Sequence, residues 1–266
     1  MILLNDEKVQ FEVFPNGETR IPEKQIRENL LAKNHIAFKY EDDSDLIKLL
    51  LLKKYLDDLD TQAQLQIQYM PYSRMDRRED NSAFTLKYVA DFINGLNFAS
   101  IEIVEPHSDV STALVNKSHA SYPSIDLLDD VVKHVGFKKD TDYLFFPDAG
   151  AQKRYSKVKG YKQLVGFKER DFATGRINSL QVVGGVDSTP FKVIILDDLC
   201  SYGGTFIKSA EQLRPLGASE IYLLVGHCEK SIYSGDIFKT DLIDKVFTTN
   251  SMMEQSEHAK LHIFNI

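Results

Sequence analysis

Two adjacent carboxylates, Asp197 and Asp198, sit between the apolar run Val193-Ile194-Ile195-Leu196 and the segment Ser201-Tyr202-Gly203-Gly204-Thr205. Paired acids can accept hydrogen bonds from the vicinal hydroxyls of a sugar. The glycines let backbone N–H groups approach an anion where a helix begins, and unpaired donors and the helix dipole favour phosphate there. A helical pattern starts at Gly203, with Phe206, Ile207, Ala210 and Leu213 on one side. The order strand, acid pair, glycine pair, hydroxyl therefore reads as a cradle for a phosphorylated sugar. Turn and cap preferences alone also place Asp and Gly after strands. Two contiguous acids repel one another, a cost that an ordinary turn has no reason to carry.

Three other constellations carry chemistry. Tyr72-Ser73-Arg74-Met75-Asp76-Arg77-Arg78-Glu79 follows an apolar strand, and its arginines can fork onto phosphate oxygens at the strand end where open α/β sheets bind ligands. A solvated loop paired through Asp76 and Glu79 is the alternative. His107 and Asp148 each follow a strand, in Glu105-Pro106-His107-Ser108 and Pro147-Asp148-Ala149-Gly150. They could orient a magnesium ion that keeps most of its waters and bridges substrate phosphates. A structural histidine, and an N-cap for the helix beginning near Ala149, are the competing roles. Lys168-Glu169-Arg170 lies where a strand gives way to a polar stretch, so its cations would suit charge stabilisation on a closing loop or simply decorate an exposed strand end. His35, His119, His134, His227, His258 and His262 show no comparable placement.

These loops need a scaffold, and the expected one is α/β. Strand-like runs recur at Leu65–Met70, Ile101–Val104, Tyr143–Phe146, Leu164–Phe167, Lys192–Leu196, Ile221–Val225 and Lys245–Thr248, with helical patterns between several of them. One helix is predicted from about Ser44 to Leu59, with serine at its start and Leu46, Ile47, Leu50, Leu51 and Leu52 as its apolar residues. A second, from about Ala83 to Gly95, presents Leu86, Val89, Ala90 and Ile93. The polar stretch Arg170 to Thr189 is expected to hold a mobile loop or an exposed hairpin. A boundary near Tyr122-Pro123-Ser124 divides the chain into domains 1–124 and 125–266.

With 266 residues the chain can bury a sizeable core, and its net charge of −7 argues against bulk binding of nucleic acid or an anionic membrane. Any phosphate site must therefore be a local concentration of basic groups. No run reaches membrane-spanning length and no signal-peptide layout is present, so the cytoplasm, of a host cell if the gene is viral, is the expected location. The two cysteines, Cys200 and Cys228, form neither a disulfide framework nor a zinc spacing and are read as small core residues.

Together the segments resemble the ribose-phosphate pyrophosphokinases, or phosphoribosyl pyrophosphate synthetases, over most of the chain. Phe14-Pro15-Asn16-Gly17-Glu18 is similar to that family's F-x-D-G-E segment and Pro71–Arg77 to its P-Y-A-R-Q-D-R/K segment. Pro147–Arg154 is similar to P-D-A-G-G-x-K-R, Lys168-Glu169-Arg170 to the loop K-x-R, and Asp197–Thr205 to D-D-x-x-D-T-x-G-T. The resemblance implies two type I phosphoribosyltransferase-like domains, each a mainly parallel sheet flanked by helices, and a homo-oligomer, dimer or hexamer. It implies that Phe14, Asn16 and Glu18 reach the adenine of ATP in a neighbouring subunit and that Arg74, Asp76 and Glu79 contact ATP. His107 and Asp148 would work with Mg²⁺, while Lys168 and Arg170 would stabilise the transferring group. Asp197 and Asp198 would hold ribose hydroxyls, with Ser201, Tyr202, Gly203, Gly204 and Thr205 around the phosphate. The implied reaction is attack of the anomeric hydroxyl of ribose 5-phosphate on the β-phosphorus of Mg–ATP, releasing AMP.

Departures from the pattern bear on the acceptor. Asn16 and Met75 replace Asp and Gln, and Ser201-Tyr202-Gly203-Gly204 stands where the family has D-T-x-G, so a third acid is lost and an aromatic ring is gained. The chain starts shortly before the F-x-D-G-E-like segment, similar to short phage-encoded members, some of which act in NAD⁺ rebuilding and use ADP-ribose. ADP-ribose is the alternative acceptor, since Tyr202 could stack on its base. A phosphoribosyltransferase, or a non-catalytic regulatory homologue, is the alternative of another class.

Overall fold

A computed structural model describes residues 1–170 and 177–266, with backbone only for 168–170 and 177–180. The chain divides into two compact units, Met1–Ser121 and Tyr122–Ile266.

Unit 1 runs β1 (Ile2–Leu4), β2 (Glu7–Lys8), β3 (Glu12–Val13), β4 (Thr19–Arg20), α1 (Glu23–Glu28), β5 (Asn34–Phe38), α2 (Ser44–Asp58), β6 (Ala63–Ile67), α3 (Thr85–Gly95), β7 (Ile101–Val104), α4 (Asp109–Leu114) and β8 (Ser118–Ser121). Its main sheet has the order β2-β1-β5-β6-β7-β8, and β3 and β4 form a separate hairpin. Strands β5 to β8 are parallel, while β1 is antiparallel to β5 and β2 to β1. Helix α3 buries Leu86, Val89, Ala90 and Ile93, the stripe its spacing predicts. In α2 the buried face is Asp45, Leu49, Leu52, Lys53 and Leu56, and Ile47 points to solvent. The leucine run hides which side faces the core. Ser44 is already helical, and the Asp42 carboxylate accepts from its N–H and its hydroxyl.

Unit 2 continues with α5 (Pro123–Val135), β9 (Tyr143–Phe146), α6 (Ala149–Arg154), β10 (Lys162–Arg170), β11 (Ile177–Val183), β12 (Phe191–Cys200), α7 (Gly204–Leu213), β13 (Ala218–Cys228), β14 (Lys245–Thr249) and β15 (Leu261–Phe264). Sheet order is β11-β10-β9-β12-β13-β14-β15, parallel except for the β10–β11 hairpin. That hairpin occupies the polar stretch expected to be a loop or hairpin; residues 171–176 between its strands lie outside the described residues.

The apolar runs in β9 and β12 lack alternation because both faces of the sheet are covered. Val193 and Ile195 pack with Phe206, Ala210 and Leu213 of α7, whereas Ile194 and Leu196 pack with Leu128 and Val131 of α5 and Ala151 of α6. Strand β12 runs four residues past Leu196, so Asp197 and Asp198 lie inside its C-terminal end and not beyond it. Cys200 and Cys228 are register partners at the ends of β12 and β13, both fully buried. No helix among the described residues is long and apolar enough to cross a membrane.

Candidate active site

In unit 2 the C-terminal ends of β9 and β12 carry the acids. Asp148 caps α6, accepting a hydrogen bond from the Ala151 N–H at 3.0 Å. The helix is short enough that its last residue, Arg154, returns over the end of β12. There Nη1 donates to Asp198 Oδ1 at 2.8 Å and to Asp197 Oδ1 at 3.2 Å, and all three side chains are at most 15% exposed. The Asp198 N–H adds a bond of 2.9 Å to Asp197 Oδ1. Even so, burial first and then the charge of Asp198 hold the Asp197 carboxyl well above the usual range. Arg154 pulls the other way and Asp148 adds to the rise. The structure thus brings Asp148, Asp197, Asp198 and Arg154 into one electrostatic unit.

The turn that follows is held in shape from below. Gly203 adopts φ +84°, a conformation costly for residues with a Cβ, and starts α7. Gly235 lies so close beneath the turn that a Cβ would stand 2.1 Å from the Tyr202 carbonyl oxygen. Ser201 Oγ is 3.0 Å from Ser231 Oγ, which donates to Glu229 Oε2 at 3.0 Å. Tyr202 is 61% exposed. The Phe206 and Ile207 N–H groups donate to the Gly203 carbonyl at 3.0 and 3.1 Å, so the Gly204 and Thr205 amides precede the first helical bond and equip the turn for an anion. Behind it, buried His227 bonds through Nδ1 to Ser251 Oγ at 2.7 Å.

In unit 1 Asp76 is 4% exposed. Burial acts to raise its pKa, but hydrogen bonds from Ser108 and Arg77, together with the charges of Arg77 and His107, outweigh that and hold it below the usual range. Arg77 Nε donates at 2.9 Å. Ser108 also caps α4, accepting from the Val110 N–H at 3.3 Å. The loop's first residue after proline, Tyr72, has φ +61° and donates to Asp43 Oδ1 at 2.5 Å, beside a 2.7 Å bond from Tyr40. Arg74 and Glu79 are exposed on the same loop. Phe14, Asn16 and Glu18 form the β3–β4 turn, where Asn16 Oδ1 accepts from the Glu18 N–H and Phe14 is 49% exposed. His107 and Asp148 belong to different units. The side chains of Lys168 and Arg170 lie outside the described residues, although their backbone extends β10.

No protein-family model matches the chain. Among curated proteins it is 26% identical over 257 residues to the ribose-phosphate pyrophosphokinase of Sulfolobus acidocaldarius, covering 94% of this chain and 86% of that protein. It is 27% identical over 231 residues to that of Pyrococcus abyssi, covering 82% and 75%. The structure superposes on the phosphoribosylpyrophosphate synthetase of Mycobacterium smegmatis with a TM-score of 0.75 at 18% identity, over 97% of this chain and 86% of that one. The chain is a relative of the ribose-phosphate pyrophosphokinases. That family consists of diphosphokinase-type transferases, and the shared fold is a pair of type I phosphoribosyltransferase-like sheets.

Arg154 had no role assigned from sequence, although it closes the P-D-A-G-like segment and the structure makes it the counter-ion of the acid pair. Ser108, Ser231 and Glu229 were likewise not singled out. For Ser108 the available signal was a serine followed by aspartate after a strand, a pattern that begins helices. Among the described residues no group of three or more His, Cys, Asp or Glu side chains could hold a metal ion by itself.

Proposed function

We propose that the chain is an ATP-dependent pyrophosphokinase that transfers the β,γ-pyrophosphoryl group of Mg–ATP to the C1 hydroxyl of ribose 5-phosphate, giving phosphoribosyl pyrophosphate and AMP in the cytoplasm. The observation that carries this reading is the Asp197–Asp198 pair, at most 15% exposed, clamped by Arg154 and followed after two intervening residues by the Ser201–Thr205 turn at the start of α7. Such a pair offers acceptors to the ribose 2- and 3-hydroxyls while the turn offers N–H donors to the 5-phosphate.

In this proposal Arg74, Asp76 and Glu79 contact ATP, and Phe14, Asn16 and Glu18 meet the adenine of a neighbouring subunit in a homo-oligomer. Lys168 and Arg170 offset charge on the group in transfer. Asp148 would give magnesium one carboxylate oxygen, in keeping with a hard cation that takes few carboxylates and completes its shell with water and phosphate oxygens. His107 and Asp148 are the residues proposed to hold it. When bound, magnesium would neutralise phosphate charge. The chain's own contribution is alignment of the sugar hydroxyl with the β-phosphorus and electrostatic support, with no covalent enzyme intermediate.

A second reading, ADP-ribose as acceptor, is favoured by the exposed Tyr202 ring at the mouth of the turn and by serine at position 201. Incubation with ATP, Mg²⁺ and each sugar, followed by phosphorus NMR, separates the two. Formation of AMP and a 1-pyrophosphoryl sugar with ribose 5-phosphate supports the first reading, product with ADP-ribose alone the second, and product with neither refutes both.

A further inference from the structure

We infer that Glu229 and Ser231 are positioning residues that turn Ser201 into a polarised, acceptor-only group facing the sugar; this rests on the pyrophosphokinase reading. The argument is proton bookkeeping. A carboxylate only accepts, so the one hydroxyl proton of Ser231 goes to Glu229 Oε2 at 3.0 Å. The 3.0 Å contact between Ser231 Oγ and Ser201 Oγ must then be filled by the proton of Ser201. The relay runs Ser201 to Ser231 to Glu229, and it leaves Ser201 with lone pairs but no proton for a ligand. Hydrogen bonds in series polarise one another, so negative character from Glu229 is passed to the Ser201 oxygen.

The relay is anchored at both ends. The Glu229 N–H donates to the Cys200 carbonyl at 2.8 Å, one residue before Ser201, so the carboxylate is carried by backbone that continues the β12–β13 ladder. Gly235 and Ile237 pack under Tyr202 and Gly203 and fix the turn against the same segment. An oxygen of this kind suits a donor such as a sugar hydroxyl, and not a phosphate oxygen. Phosphate is left to the α7 amides and Thr205. The serine thus reproduces part of the acceptor character of the acid found at this position in the D-D-x-x-D-T-x-G-T pattern, with the charge supplied from the neighbouring strand.

The test uses the full-length chain, with calorimetric binding of ribose 5-phosphate and steady-state kinetics on Ser231→Ala and Glu229→Gln. The expected result is that Kd and KM for ribose 5-phosphate rise about 3- to 10-fold while KM for ATP stays within about twofold, the scale of one lost hydrogen bond between neutral groups. In a Ser201→Asp background, where the carboxylate is supplied directly, Ser231→Ala should have no further effect. If Ser231→Ala fails to fold, Glu229→Gln, which keeps the side-chain shape, carries the same expectation. Unchanged acceptor parameters, equal rises for both substrates, or a penalty that persists beside Ser201→Asp overturn the relay and leave the pyrophosphokinase reading standing. A wild-type chain that neither binds nor pyrophosphorylates ribose 5-phosphate overturns both.

Discussion

Asp197→Asn should make the protein more stable and less active. In the wild type the Asp197 side chain is 15% exposed, with the buried Asp198 carboxylate adjacent and Arg154 Nη1 at 3.2 Å. Two unit charges about 4 Å apart interact by about 4 kcal/mol at an effective dielectric of about 20. Repulsion from Asp198 and attraction to Arg154 therefore nearly offset, and burial decides the sign, raising the pKa. Asparagine keeps the oxygen that accepts from Arg154 and from the Asp198 N–H, and removes the charge. The expected gain at pH 7 is about 0.5–2 kcal/mol, the usual return from relieving a functional site. A unit of this size should respond by roughly 1–8 °C in Tm.

The pH dependence follows from linkage. A carboxyl whose folded pKa is raised contributes stability below its unfolded pKa and loses it as pH rises through the folded value. The advantage of Asp197→Asn should thus be largest at neutral pH and shrink on acidification, as wild-type Asp197 takes up its proton. Scanning calorimetry at pH 7 and near pH 4.5 measures this, alongside kcat/KM for the acceptor, expected to fall at least tenfold. A variant less stable than wild type at pH 7, or a Tm difference that does not change with pH, would refute the reasoning.

Removing the counter-ion acts in the opposite sense: Arg154→Ala leaves two adjacent carboxylates buried and should cost about 3–5 kcal/mol, toward the lower end because Asp197 can protonate, read as a lower urea midpoint at unchanged m. Gly235→Ala places a Cβ 2.1 Å from the Tyr202 carbonyl oxygen, and with φ −81° the backbone itself is unstrained, so the cost is steric, about 1–3 kcal/mol in thermal unfolding, with weaker acceptor binding as the turn shifts. Ser108→Ala removes the α4 cap, about 1 kcal/mol, and a hydrogen bond to Asp76. Because the Asp76 pKa is depressed, its stabilisation is present above its unfolded pKa and lost as pH falls through the folded value. The Tm gap between wild type and Ser108→Ala should therefore narrow in acid.

What could be read in advance follows the physics of each segment. Ile101–Val104 and Tyr143–Phe146 are uninterrupted apolar runs, and the strands β7 and β9 occupy those residues without change. Strands β1 to β4 are two or three residues long, too short for a period, and β5 mixes Asn34 and His35 into its run, so none was anticipated. Helix α2 was legible as a helix but not in its buried face, because seven residues from Leu46 to Leu52 hold only one polar side chain, Lys48. The acid pair and the glycine that begins α7 were visible as neighbours in sequence. Arg154 was not, since its contact with Asp197 spans 43 residues and depends on the length of α6. Glu229 and Ser231 reach the turn only through the parallel register of β12 and β13, which the order of residues does not encode locally.

That register has a practical corollary. Both thiols of the chain end neighbouring strands of unit 2, β12 and β13, with zero exposure, while unit 1 contains none. An alkylating reagent added to the native protein therefore reacts only when this part of unit 2 opens, and the Cys228 contact and then the burial that raise the Cys200 pKa slow attack further until it does. The wild-type sequence supplies its own reporter of how often the strands around these two thiols come apart.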